Sequence, residues 1–440
     1  MTTFDRFDPF ERRIGEALEG IAPPRPLDYL DDVLQLTALS SQRPRWSFPE
    51  RWFNVDFAVP RSAFGGRLPF RTLLILAVVA ALMAASVALY IGTHKRLPPA
   101  FGPAANGDLI FSRSGDIFVR SGLTGQEHLL IGAAGDQFAA SYSPDGQLIS
   151  YATASAEGDH FMVANADGTN PRQVALIPST GNAQGAWAPD SKRAGFIYDV
   201  NGVPRLSIVT VAGETAIIDL GDLVPLDLAF EPPNGDRLLI RAHEPGGERV
   251  GLYTMGLDGS DRHTLVPPVA TTYGTQFTRS GAVWSPDGRT VAYNGIDAVT
   301  GTDGKVTTRF RLHLVNADGT NNRAVQGPLD PAVEENWPSY SPDGTWILVQ
   351  RWTWTDRTPG TSGWIAIMPS DGSAPAHDIG PRFEDAGDTA ITKSWSPDGT
   401  RLLVSVGSKK QTYSVDPISG KYELLSWTGE LPDWQRRAIP

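Results

Sequence analysis

The sequence predicts an all-β fold: a seven-bladed β-propeller with C-terminal strand closure, preceded by one transmembrane helix and a short helical N-terminal tail. Three observations predict it. A Ser-Pro-Asp-Gly turn recurs at 143–146, 285–288, 341–344 and 396–399, with degenerate copies at 188–191 (APDS) and 232–235 (PPNG). Around each turn the apolar residues alternate with period two, the mark of a half-buried strand. Residues 72–92 (TLLILAVVAALMAASVALYIG) carry no charge and no proline.

The repeat comes first. Its prolines are Pro144, Pro189, Pro233, Pro286, Pro342 and Pro397, spaced by 45, 44, 53, 56 and 55 residues. An aromatic precedes every turn: Tyr142, Trp187, Phe230, Trp284, Tyr340 and Trp395. Apolar residues follow five and seven positions past the proline, as in Ile149 and Tyr151 or Leu402 and Val404. A third strand (HFMVANA, VGLYTMG, RLHLVNA, WIAIMPS) ends in an Asp-Gly turn such as Asp167-Gly168 or Asp318-Gly319. Asp-Gly accepts the positive φ angles of tight hairpins. A fourth strand completes the unit, and four antiparallel strands in 45–55 residues make a propeller blade. Six units carry the turn. Residues 107–131 hold three more strands, and Pro432-Asp433-Trp434 parallels Pro338-Ser339-Tyr340. The C-terminal strand therefore joins 107–131 in a seventh blade and leaves no open sheet edge.

The run aromatic-Ser-Pro-Asp-Gly, strand, strand, Asn-Ala-Asp-Gly-Thr-Asn resembles the β-propeller repeats of the TolB family. Similar repeats occur in the propellers of prolyl oligopeptidase-like proteins. The resemblance covers about 107–440 and implies the fold; propellers host many functions. TolB itself is implied to be soluble and periplasmic, with an N-terminal α/β domain and six blades. This chain departs from it with an apolar segment and seven units, so the Tol–Pal role is not carried over.

The segment 72–92 would extend about 30 Å as a helix, the thickness of a hydrocarbon core. Before it stand Arg43, Arg45, Arg51, Arg61, Arg67 and Arg71 against Glu50 and Asp56; after it come Lys95 and Arg96 and then few cations. This bias places the N-terminus in the cytoplasm and the propeller outside it, at the cell membrane. The expected organisation is a cytoplasmic tail (1–70), a transmembrane helix (71–93), a linker (94–106) and the propeller (107–440). The tail shows two apolar stripes, Phe10, Ile14, Ala17, Leu18 and Ile21, then Leu27, Leu30, Val33, Leu34 and Leu39, separated by Pro23, Pro24 and Pro26. Two short helices follow from this spacing. A basic-aromatic stretch (42–53) with Arg43, Trp46, Arg51 and Trp52 suits an anionic inner leaflet.

Composition excludes several chemistries. With no cysteine among 440 residues there is no disulfide, thiol nucleophile or cysteine-ligated metal. A charge of −11, from 38 basic against 49 acidic residues, argues against nucleic acid as a partner. No GxSxG elbow occurs. His94, His128, His160, His243, His263, His313 and His377 are scattered, without metal-ligand spacing. Asp145, Asp190, Asp287, Asp343 and Asp398 repeat with the turn, and a repeating carboxylate is a turn residue rather than a catalyst. The NADGTN stretches at 165–170 and 316–321 lack the terminal Glu of a calcium loop. No cofactor, metal or catalytic residue is therefore expected.

Recognition is expected on long connections between second and third strands, 294–310 and 351–364. The latter carries Trp352, Trp354, Asp356 and Trp364, candidates for contacting a glycan, peptide or protein. The expected function is non-enzymatic ligand or protein binding by a membrane-anchored scaffold. One alternative is anti-sigma-like signalling, with a cytoplasmic regulator on residues 1–70. Another is a propeller-borne hydrolase or lyase.

Overall fold

The structure is a computed structural model. It describes residues 74–83 and 97–439, apart from 133, 179–183, 247–248, 271–280, 301–303, 305, 326–329, 331, 356–357, 385–390 and 407–409. The chain divides into two units, Met1–Gly92 and Thr93–Pro440. In the first, residues 74–83 form a helix with every side chain exposed. Among the described residues no helix is long and apolar enough to cross a membrane. The rest of the expected span, and the tail with its two expected helices, lie outside the described residues.

In the second unit the described residues form seven four-stranded antiparallel sheets. Their innermost strands are Glu430–Arg437 (blade 1), Gln137–Tyr142 (blade 2), Gln184–Trp187 (blade 3), Val224–Phe230 (blade 4), Ala282–Trp284 (blade 5), Val333–Tyr340 (blade 6) and Ile391–Trp395 (blade 7). Blade 1 is composite, as expected. Its inner strand comes from the C-terminus and pairs with Ala105–Arg113, placing Leu109 opposite Trp434 and Ile110 opposite Asp433.

The core lies between blades. Seven buried clusters each draw on two neighbouring sheets; each of six contains or packs against one of the aromatics that precede the turns, and the seventh contains Trp434. These large rings fill the space between neighbouring sheets; Tyr142, Phe230, Trp284 and Trp434 are 5–7% exposed.

The repeated aspartates close their own turns. In all four SPDG copies the Ser Oγ donates to the Asp Oδ1 at 2.5–2.6 Å. The same oxygen accepts an amide two residues on, at 3.0–3.1 Å. Burial opposes ionisation of Asp287, Asp343 and Asp398, but these bonds outweigh it and hold all three carboxyls below their usual range. The glycine is obligatory in blade 2: Gly146 has φ +68°, and a Cβ there would lie 2.2 Å from the Arg436 carbonyl oxygen.

Closure is locked from several directions. Tyr142 N donates to Asp433 Oδ2 (2.8 Å), and Gln435 Nε2 to Gly146 O (2.8 Å). The strap at 97–104 leads into the propeller across the SPDG-turn face. Arg436 Nη2 bonds Pro99 O (3.0 Å) and Gly102 O (2.5 Å), and Ala104 N bonds Pro397 O (2.9 Å).

The two long connections are not irregular loops, contrary to expectation. Thr290–Thr300 pairs with Val306–Asn316 out to Thr300 opposite Val306. Trp346–Thr355 pairs with Thr358–Pro369 out to Thr355 opposite Thr358. Runs of β-branched residues (Val299, Thr300, Val306, Thr307, Thr308) keep both chains extended. The insertions are hairpins that lengthen blades 5 and 6 on the face opposite the SPDG turns.

Candidate functional site: the axial channel

The innermost strands enclose a cavity of about 580 Å³. Trp187, Trp284, Trp337, Asp227 and Lys393 contribute to its wall, and Phe101 of the strap stands at its SPDG end. The inner strands are irregular here. Ala139, Trp337 and Leu431, each three residues before the blade aromatic, have φ of 52°, 49° and 50°. The ladder shifts register between Phe138 and Ser141 and between Asn336 and Ser339. Such bulges release backbone groups from sheet pairing. The Trp337 carbonyl is one of these: it accepts a hydrogen bond from Lys393 Nζ of the neighbouring blade.

Among the described residues two ionisable groups line the cavity. Burial pushes the Lys393 amine down to about 7. Asp227 accepts amides from Leu228 (2.9 Å) and Ala282 (3.1 Å). Burial raises its carboxyl, against the pull of Arg241 and these two amides. A third group sits at the closure, where burial lifts Asp433 to about 6. A raised carboxyl contributes stability that is complete below its unfolded value near 4 and is lost as pH rises through about 6. Asp433→Asn is therefore expected to be more stable than the parent by about 1–3 kcal/mol at pH 8, with little difference at pH 4. Denaturant titrations at the two pH values check this.

The expected site residues separate. Trp352 is half-buried, its ring edge-on to Trp337 (centroids 5.1 Å apart, 72° between planes). It therefore belongs to the wall between the channel and the blade 6 hairpin. Trp364 is not an exposed recognition residue: it is 5% exposed, with the Arg382 guanidinium 3.9 Å over its ring. Trp352 pairs with Gly363, and Arg351 with Trp364. Alternation then puts Trp352 and Trp364 on opposite faces of the sheet. Trp354 lies opposite Pro359, beyond a register shift that breaks the expected alternation with Trp352. Asp356 lies outside the described residues. Among the described residues no three His, Asp or Glu side chains are grouped to hold a metal ion.

Sequence reasoning missed Lys393, Trp337 and Asp227, although the repeat contained the signal. Two residues before the blade aromatic stand Ala140, Gly185, Leu228, Ala282, Pro338 and Pro432, and only in blade 7 a charged residue, Lys393. Three before it, Asp227 is the only charged residue among the seven blades.

No protein-family model and no curated protein matches the chain. Solved structures do. A structure of prolyl endopeptidases is 16% identical over 76% of this chain and 51% of that chain, with a TM-score of 0.51. An oligogalacturonate lyase in complex with manganese is 13% identical over 75% of this chain and 85% of that one, with a TM-score of 0.50. TolB from Acinetobacter baumannii is 15% identical over 76% and 81%, with a TM-score of 0.45. At such identities the likeness is one of fold, and the chain is a seven-bladed β-propeller with TolB proteins among its structural neighbours.

Proposed function

We propose that this chain is a single-pass membrane protein that presents its propeller outside the cytoplasm as a non-enzymatic binding module. The observation that carries the binding reading is the aromatic-walled axial cavity, which the strap approaches from the SPDG face. That leaves the opposite face, with the two hairpins and Trp352 behind Trp337, for a glycan, peptide or protein. Apolar walls with a few placed polar groups are the usual make-up of a ligand site. The apolar segment 72–92 and its arginine-rich leading flank support the anchor.

A sequence without cysteine makes topology simple to test, because any introduced thiol is unique. Ile418, in a turn of blade 7, is 68% exposed. Ile418→Cys is expected to react with a membrane-impermeant maleimide on intact cells, and Ser41→Cys only after permeabilisation. The reverse pattern, or release of the chain by carbonate washing, overturns the anchored orientation. Binding is read by probing glycan and peptide arrays with the full-length protein. Trp352→Ala is expected to weaken whatever binds about tenfold or more. Turnover of a bound glycan or peptide would replace the binding reading with a catalytic one. The lyase and endopeptidase neighbours make that the alternative to exclude.

A further inference from the structure

We infer that the channel holds a nucleophilic amine site. Lys393, set in the aromatic-walled cavity and tied by one hydrogen bond to the Trp337 carbonyl, takes a small organic ligand bearing an aldehyde or ketone group by forming an imine. The inference deepens the binding reading above and does not depend on membrane topology.

Four observations converge on Lys393. It breaks the sevenfold repeat where the other blades carry Ala, Gly, Leu or Pro. A residue needed for folding recurs with the repeat; one that departs from it answers a local demand. Lys393 lines a cavity of about 580 Å³, large enough for a small organic molecule. Its hydrogen-bond partner is a backbone carbonyl at a left-handed bulge, which accepts the hydrogen bond and supplies no counter-charge. Among the described residues no carboxylate pairs with it. Asp227 of the same cavity accepts the Leu228 and Ala282 amides, and Asp433 of the adjoining inner strand accepts the Tyr142 amide.

The chemistry follows from the number of bonds nitrogen can make. A neutral amine has two N–H bonds and one lone pair. One N–H serves Trp337, so the lone pair is left for an electrophile. Burial, with no carboxylate paired to it among the described residues, favours this neutral form, as in other lysines that form Schiff bases. The lone pair attacks the carbonyl carbon, the C=O π electrons move to oxygen, and one proton passes from nitrogen to oxygen to give the carbinolamine. The carbinolamine then takes up a proton on oxygen, gives up its nitrogen proton and loses water, leaving C=N. No oxidant or reductant is consumed. Trp187, Trp284 and Trp337, which line the cavity, supply apolar surface for the ligand's body.

The chain has seven lysines, Lys95, Lys192, Lys305, Lys393, Lys409, Lys410 and Lys421, so a peptide map resolves every one. The full-length protein is treated with benzaldehyde and cyanoborohydride, which reduces any imine to a stable secondary amine. At pH 7, Lys393 is expected to label at least tenfold faster than the exposed Lys192 and Lys421. Its rate is expected to fall about tenfold per unit below pH 6, as the amine protonates. Lys393→Arg is expected to keep the melting temperature and the labelling at Lys192 and Lys421 while losing the fast site; Lys393→Met serves if the arginine does not fit. Labelling at Lys393 no faster than at Lys192 overturns the inference. If the Trp352-dependent array binding survives that result, the binding reading stands without the amine; loss of both removes the channel as a site.

Discussion

Trp434→Ala is expected to destabilise the protein by about 3–5 kcal/mol, the cost of emptying a large aromatic site in a packed core. The indole is 6% exposed and packs with Leu109, Phe111, Leu403 and Trp427 between blades 7 and 1. The same interface carries a stack of Phe111 on Trp427 (5.1 Å) and a bond from Trp427 Nε1 to Leu123 O (3.1 Å). Loss of Trp434 weakens both the contact between the blades and the pairing of the last strand with the first. In the other six blades the four strands follow one another along the chain; in blade 1 the last strand meets the first only through non-covalent contacts. Ile439→Ala, at a side chain 58% exposed, controls for the C-terminus and is expected to shift stability by less than about 0.5 kcal/mol. Urea titrations of both variants against the parent read the difference.

The second large effect is expected from Glu335→Ala, about 3 kcal/mol. Glu335 and Arg351 are cross-strand partners in blade 6, each 7–8% exposed, joined by contacts of 2.8 and 3.2 Å. Glu335 Oε2 also accepts the Leu312 amide of blade 5 (3.3 Å), so one carboxylate joins two blades. Removing it leaves a buried guanidinium with Asp378 (2.9 Å), whose carboxylate is half in water. The pair's net contribution is smaller than the cost of breaking it, because forming it required desolvating both charges. Glu335→Gln keeps an acceptor for Leu312 and is expected to lose about half as much.

The fold was legible in the sequence because its signals repeat. Six copies of a turn, six aromatics and a period-two pattern made the blade readable from any one unit. The match of Trp434 to Tyr340 made the closure readable too. The ends of the blades were harder to read. The stretches 294–310 and 351–364 look irregular beside the short second-to-third connections, yet their β-branched residues pair all the way out, as Val299 does with Thr307. The candidate site residues were harder to place for a related reason. Trp352, Trp354 and Trp364 stand out by residue type, but a tryptophan in a sheet is as readily a wall as a probe. Trp364 is covered by Arg382, and Trp352 leans on Trp337. Lys393 stands out only when the seven inner strands are aligned on their aromatics. The bulges at Ala139, Trp337 and Leu431 leave no common residue type to be seen, since alanine, tryptophan and leucine share no preference for positive φ.

The strap at 97–104 also sets how the molecule bears load. Tension drawn through the N-terminal side meets the strap's bonds first. These end on two blades at once, Arg436 in blade 1 and Pro397 in the turn of blade 7. A pull is thus shared across the seam rather than concentrated on the pairing of Ala105–Arg113 with the last strand. The incoming chain works at the seam as a strain relief, as a cable clamp does at a plug.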